Sequence, residues 1–422
     1  MISEEFPVHK NNRNPVILFG DGITSLGVIR GLRDLGVEIF IVSDTGRGVG
    51  KYSKYAKEIF ILHPTDSDYV VKVIDWIKNS FSEKPVLMVA GNDDALELLS
   101  KEHKLLCEFA LPTFPIWEVV NKVINKEFMY EIASDAGIPT IATQRINSLR
   151  DLKVYFQSNN NKSFPVFLKS SNSGKFSEKF GTKGVVCHSE AEVFEAYRKY
   201  DGFLDGLLLQ DFLPGDIDQI SAVLLVLNKN SEVIAVAANE KIRAAVLFGS
   251  TTLSSSAWNQ KMVENAVILA ETAGYVGIVG VQFKYDPRDN EFKFLEINGR
   301  FSVSVSLAQR CGINMPEMVY KNFTGVTFSR MDSLERNYQN NILLWWPLTD
   351  ILLLAQKRFY MEPLRYLSSL KGSGYIVEPF SLRDPMPALV TAAKLLLMPF
   401  GKLIGKTQSM FKPNPNPKRR LK

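Results

Sequence analysis

A chain of 422 residues, 45% hydrophobic and 23% charged, is long enough for two or three domains with a substantial core, and is unlike a disordered or fibrous protein. The net charge of +5 sits at the chain end: "KPNPNPKRRLK" carries Lys412, Lys418, Arg419, Arg420 and Lys422 and no acid, so the remainder balances, which argues against a nucleic-acid-binding body. Cys107, Cys187 and Cys311 form no C-x-x-C pair, and His9, His63, His103 and His188 have no ligand or triad spacing, which argues against a disulfide framework or zinc site.

The start, "MISEEFPVHKNNRNP", lacks the apolar core of a signal peptide, and no apolar run reaches spanning length, so the cytoplasm is the expected compartment. "PVILFGDGITSLGVIRGLRDLGVEIFIVSD" then predicts a strand over 16–19, a tight turn, a helix over 23–35 stopped by Gly36, and a strand over 37–42, a βαβ unit. Gly20, Gly22 and Gly27 do not fit G-x-G-x-x-G, so the turn is expected to be structural and not a nicotinamide site, although Asp44 stands near the ribose-binding distance. A strand over 86–90 and a helix over 94–106 repeat the α/β pattern. Asn92 and Asp93 between them either contact substrate or cap that helix.

Pro112 and Pro115 mark a boundary, and "NKEFMYEIASDAGIPT" reads as a helix over 125–136 ended by Gly137. "PVFLKSSNSGKFSEKFGTKGVVCHS" is a strand, a Ser/Gly/Lys loop and a strand. Lys169 ends the first of these, where burial is costly without an anionic partner such as phosphate. "LLLQDFLPGDIDQISAVLLV" is two strands about a turn at Pro214-Gly215. Gln210 and Asp211 stand where strand becomes connector, and exposed backbone there suits an adenine edge. Arg243, in "NEKIRAAVLFGS", lies between strand and loop.

"GIVGVQFKYDPRDNEFKFLEINGR" is two alternating runs about a Pro/Asp/Asn turn, a hairpin signature. In a strand, Glu296, Asn298 and Arg300 share one face. With a loop over 287–291, Gln282 lies opposite Glu296 on that face, while Val281, Phe283 and Tyr285 share the core face with Leu295 and Ile297. A loop one residue shorter reverses this parity. The resulting oxygen donors, Gln282, Glu296 and Asn298, suit a hard cation such as Mg²⁺, whose shell phosphates complete. From about 331 the chain turns apolar and aromatic. "NNILLWWPLTDILLLAQKRF" and "PMPALVTAAKLLLMPFGKLIGKTQSMFK" suggest a helical extension docked on the core, with a membrane-surface helix followed by a polybasic anchor as the rival.

This order of motifs resembles the ATP-grasp superfamily of carboxylate–amine ligases over residues 15–325, with nearest likeness to D-aspartate-ligase-like members. The resemblance implies an α/β and α+β chain: an N-terminal Rossmann-like pre-ATP-grasp domain, an ATP-grasp core of two α+β subdomains sandwiching ATP, and the helical extension. Implied boundaries are a flexible start over 1–14, then 15–118, 119–330, 331–410 and a basic tail over 411–422. It further implies Lys126, Lys169 and Lys183 on phosphates, Gln210 and Asp211 beside the adenine amine, and the Phe212 and Leu213 backbone on its ring. Asp218 falls to the ribose, or else caps a turn. Gln282, Glu296 and Asn298 fall to Mg²⁺ (or Mn²⁺). Arg300 falls to the transferring phosphate or substrate, and Arg243 to the γ-phosphate or else the surface. In place of the usual E-x-N-P-R stands Gly299, and the often acidic first metal position is Gln282. Lys175 and Lys179 are expected on a solvated face.

The expected activity is ATP-dependent ligation of a carboxylate and an amine through an acylphosphate. Small-molecule substrates, no nucleic acid and a homodimer complete that expectation. Two alternatives stand beside it: a nucleotide-binding regulatory or scaffold protein without turnover, and a membrane-surface ligase of cell-envelope or polysaccharide biosynthesis.

Overall fold

A computed structural model describes residues 13–81, 84–158, 163–170, 176, 179–180, 182, 184–200, 206–215, 219–244, 251–331, 338–348, 350 and 363–397. The chain begins with β1 (Val16–Phe19), α1 (Ile23–Leu32), β2 (Ile39–Ser43), β3 (Ala56–Ile61), α2 (Tyr69–Ser80), β4 (Val86–Ala90), α3 (Asp93–Lys101), α4 (His103–Leu106) and β5 (Ala110–Pro112). The five strands form one parallel sheet in the order β3-β2-β1-β4-β5. β1 and β4 are apolar throughout and buried on both faces, as central parallel strands are. After α1 a short 3₁₀ turn runs to Leu35, and Gly36 at φ +61° ends it, as the sequence predicts.

Next come α5 (Trp117–Ile124) and α6 (Lys126–Asp135), the latter capped by Asn125, whose Oδ1 accepts from the Glu127 N–H at 2.9 Å. β6 (Thr143–Ile146), α7 (Leu149–Ser158), β7 (Val166–Ser170), β8 (Gly184–Cys187), α8 (Glu190–Tyr200) and β9 (Leu207–Asp211) follow. These strands make an antiparallel sheet in the order β6-β9-β7-β8. The apolar faces of α7 and α8 close its core with Leu152, Phe156, Val193 and Tyr197.

The remainder contains β10 (Ile220–Leu227), β11 (Val233–Ala244), β12 (Thr251–Ser256), α9 (Gln260–Thr272), β13 (Gly277–Asp286), β14 (Glu291–Asn298), α10 (Val305–Arg310), α11 (Met315–Phe323), β15 (Ile342–Trp345), α12 (Pro363–Ser368), β16 (Gly374–Val377) and α13 (Met386–Leu396). Its seven strands run β14-β13-β10-β11-β12-β15-β16, antiparallel except for the last pair. The chain divides into two compact units. One comprises 1–140, 215–350 and 363–392, and the other 141–214, 351–362 and 393–422. This division differs from the sequence boundaries: the N-terminal sheet and the seven-stranded sheet belong to one unit.

The seven-stranded sheet has two unlike faces. On one, Val223, Leu225, Val236, Val281, Phe283, Phe294 and Ile297 pack against α5, α6 and α9. On the other, Leu224, Val226, Ala235, Ala237 and Ile278 pack beneath α1, α10 and α11. Further along the same strands, that second face carries polar residues. Gly27 lets α1 approach: a Cβ there would lie 2.4 Å from Val305 Cγ1, so this glycine, inside the helix, serves helix packing.

The expected helical C-terminal extension is corrected in part. Ile342–Trp345 is a strand paired with β12, and Gly374–Val377 a strand beside it. A five-residue apolar run bounded by Asn341 and Pro347 is too short for a helix, and the open edge of β12 offers it hydrogen bonds. Among the described residues no helix is long and apolar enough to cross a membrane. The basic tail, and the helical reading beyond residue 397, lie outside the described residues.

Candidate active site

The hairpin of β13 and β14 pairs Gln282 with Glu296 and Gly280 with Asn298. The turn is one residue shorter than expected, since Asp286 already pairs with Glu291. That would reverse the parity at Glu296. A register shift between Gln282 and Phe283 restores it: Phe283 faces Phe294, Gln282 faces Glu296, and Leu295 is the extra residue. Phe294 and Ile297 therefore fill the core and Leu295 does not, which corrects one expected core position. The bulge leaves Gln282, Glu296 and Asn298 on the polar face together. Asn298 Nδ2 donates to Glu296 Oε1 at 3.4 Å, close enough for both side chains to act at one point.

The same face continues across the sheet. Ala222 pairs with both Gln282 and Asn239, which places Asn239, Ala222, Gln282 and Glu296 in one row. Lys241, two residues beyond Asn239, donates from Nζ to Gln282 Oε1 at 3.3 Å. Sequence reasoning passed over Lys241, although Asn239 and Lys241 alternate on β11 as Glu296 and Asn298 do on β14.

Arg300 follows the hairpin. Its Nε and Nη2 donate to the two carboxylate oxygens of Asp93 at 2.7 and 2.8 Å, and Nη1 donates to the Phe301 carbonyl at 3.2 Å. Burial opposes its charge, but Asp93 outweighs this, with Glu296 and Tyr275 adding to it, and the guanidinium is held above its ordinary pKa. Of the two residues at the end of β4, Asn92 caps α3, its Oδ1 accepting from the Ala95 N–H at 2.8 Å. Asp93 orients Arg300.

Gly299 stands where the resemblance expects proline. The buried Tyr275 hydroxyl donates to the Gly299 carbonyl at 2.6 Å, and a Cβ at Gly299 would lie 2.5 Å from that hydroxyl. Burial, then the Asp93 charge, pushes the Tyr275 phenol well above its usual range, so it stays a neutral donor.

Arg243 is neither on the surface nor directed at the polar cluster. A register shift after Lys241 turns it away, and it is 5% exposed. There it forms a two-pronged ion pair with Asp350, bonds Ser369 Oγ, and lies 4.3 Å over the Tyr366 ring. A guanidinium so engaged anchors the C-terminal segment, which corrects the γ-phosphate expectation. Lys126, in the first turn of α6, is buried, an uncommon state for lysine.

In the smaller unit, Lys169 is buried on β7, opposite Leu208 and Gly184. Gln210 is buried on β9, its Nε2 donating to Thr143 Oγ1 at 2.8 Å. The Asp211 and Phe212 N–H groups donate to Ala142 and Pro165 carbonyls, and Leu213 is buried. Lys179 lies 5.3 Å from the Phe180 ring centroid. Lys175, Lys183 and Asp218 lie outside the described residues.

A cavity of about 720 Å³ opens elsewhere, lined by Trp258, Cys311, Met318, Phe328 and Tyr338, and contains none of these residues. Among the described residues no group of three His, Cys, Asp or Glu side chains gathers to hold a metal. The Gln282–Glu296–Asn298 set, with one carboxylate and two amide oxygens, is the kind of partial shell that Mg²⁺ takes when phosphates supply the remainder.

Residues 205–342 match the family described as "ATP-grasp in the biosynthetic pathway with Ter operon". The D-aspartate ligase of Enterococcus faecium (strain Aus0004) is 25% identical over 283 residues, which cover 64% of this chain and 66% of that protein, just under two thirds of its length. In fold, the chain is similar to a biotin carboxylase–β,γ-ATP complex from Campylobacter jejuni, with TM-score 0.62, 18% identity, and 78% and 74% of the two chains covered. It is also similar to the L-amino acid ligase from Bacillus licheniformis, with TM-score 0.56, 16% identity and 75% of each chain covered. The co-facial Gln–Glu–Asn hairpin thus lies within the segment that matches an ATP-grasp family, on a chain whose fold is similar to that of these two enzymes.

Proposed function

We propose that the protein is an ATP-dependent carboxylate–amine ligase. The observation that carries this is the hairpin bulge that sets Gln282, Glu296 and Asn298 on one face, with Arg300 held beside them by Asp93. Gln282, Glu296 and Asn298 would hold Mg²⁺, which when bound offsets the charge of the phosphates. Lys126, Lys169 and Arg300 supply further positive charge, and Gln210 to Leu213 take the adenine. Lys183 and Asp218 keep their proposed places on phosphate and ribose.

The substrate carboxylate oxygen attacks the γ-phosphorus, the bond to the β,γ-bridging oxygen breaks, and ADP leaves. The amine nitrogen then attacks the acyl carbon, the acyl–oxygen bond breaks, and phosphate leaves as the nitrogen gives up a proton. The protein contributes position and charge neutralisation and needs no nucleophile of its own. The likeness to D-aspartate ligase and L-amino acid ligase makes amino acids the first substrates to test.

The test is ADP release from Mg·ATP with pairs of amino acids. Release is expected to require both partners, and Glu296→Gln is expected to reduce it by about 10²-fold or more. Undiminished turnover in that variant removes Glu296 from the site. ATP binding with no ADP release under any pair favours the regulatory reading.

A further inference from the structure

Beside the hairpin, the polar face of the seven-stranded sheet holds three oxygens that the proposed ATP chemistry leaves unused. Asn239 is 3% exposed, Ser254 1% and Thr252 fully buried. Asn239 Oδ1, Ser254 Oγ and Thr252 Oγ1 have no hydrogen-bond partner. Buried polar atoms are rarely left so, because burial removes water without replacing it. By contrast, the neighbouring Ser256 hydroxyl donates to the Gln339 carbonyl at 2.6 Å and accepts from the Ile342 N–H. The three open groups are therefore particular to their places in the sheet.

Those places form a continuous patch. Lys241 pairs with Ser254, and Asn239 with Ser256, so Asn239, Lys241, Ser254 and, by alternation, Thr252 face one way. Asn239 shares its row with Gln282 and Glu296, two strands from Gln282. Strand spacing puts them roughly 10 Å apart, the span of an amino-acid-sized molecule. Ala222 between them is small and only partly buried. The Asn239 amide oxygen only accepts, and each hydroxyl can accept as well as donate, so a group that carries N–H donors can satisfy all three oxygens.

Resting on the ligase reading above, we infer that Asn239, Thr252 and Ser254 form the floor of the subsite for the incoming amine substrate, an amino acid whose amino group donates to these oxygens. Lys241, on the same face, provides a cation for its carboxylate.

The experiment compares wild type with Asn239→Leu, Ser254→Ala and Thr252→Val, the last two removing a hydroxyl with little change in volume. Mg·ATP binding is measured calorimetrically, and ADP release is measured over pairs drawn from the twenty L-amino acids and D-aspartate. The expected result is a KM for the amine partner raised about tenfold in the variants, with Mg·ATP affinity within about twofold of wild type. Unchanged amine KM in both hydroxyl variants overturns the inference, whatever Asn239→Leu does to folding. So does equal loss of Mg·ATP affinity, whereas a wild type that binds Mg·ATP yet shows no amine-dependent release across the panel overturns the ligase reading on which the inference rests. A wild type that fails to bind Mg·ATP overturns the ligase reading itself.

Discussion

Gly299 occupies a place where no side chain fits, because Tyr275 Oη and Leu96 Cδ2 would lie 2.5 and 2.9 Å from its Cβ. Gly299→Ala is expected to destabilise the protein by about 1–3 kcal/mol, read from urea midpoints, and by less in a Tyr275→Phe background where the hydroxyl is gone. The glycine was visible in the sequence as a departure from the family pattern. Its cause was not, since Tyr275 lies 24 residues away along the chain. Asp93 is similar: its place at a strand end was legible, but its partner Arg300 is 207 residues distant. Asp93→Asn should leave the fold intact and lower kcat by about 10- to 100-fold, because Arg300 loses the carboxylate that orients it. A kcat equal to wild type would show that Arg300 keeps its place without that contact.

Among the elements, the metal-type hairpin was the most legible, because strand alternation and turn chemistry are written in adjacent residues. Even so, its turn was one residue short, and the bulge at Leu295 restored the parity of Glu296. Helix α1 shows what local pattern cannot reveal. Arg30, the one charged residue of that helix, is buried with Nη1 2.5 Å from Glu378 and Nε 3.1 Å from Asp384. Ser53 and the Lys54 N–H also donate to Asp384, and Ser306 to Glu378. Burial raises the Glu378 pKa although Arg30 works against it, so this carboxylate depends on its partners. Arg30→Met should cost about 3–5 kcal/mol by leaving two buried acids without their cation. A melting temperature equal to wild type would contradict the pairing.

For the molecule as a whole, the C-terminal region is part of the seven-stranded sheet. Strands β15 and β16 cover the edge of β12, Asp350 neutralises Arg243, and Glu378 with Asp384 neutralises Arg30. Ending the chain before residue 338 would expose the edge and strand two buried arginines. At about 3–5 kcal/mol each, these losses approach the whole stability of a typical protein, about 5–15 kcal/mol. The shortened chain is therefore expected to be insoluble or to lose its cooperative thermal transition. A soluble, cooperatively melting product would show that these strands are dispensable.

Local pattern alone accounts for the first βαβ unit, the helix that Gly137 ends, the stop at Gly36 and the residue types of the Gln–Glu–Asn hairpin. Each rests on periodicity or turn chemistry within a few neighbouring residues. Only the tertiary structure decided that Arg243 is an anchor, that Ile342–Trp345 is a strand, and that Asn239 and Ser254 lie in one patch with Gln282. Those outcomes depend on partners brought together across the sheet, often from more than a hundred residues away, where burial and pairing outweigh local preference.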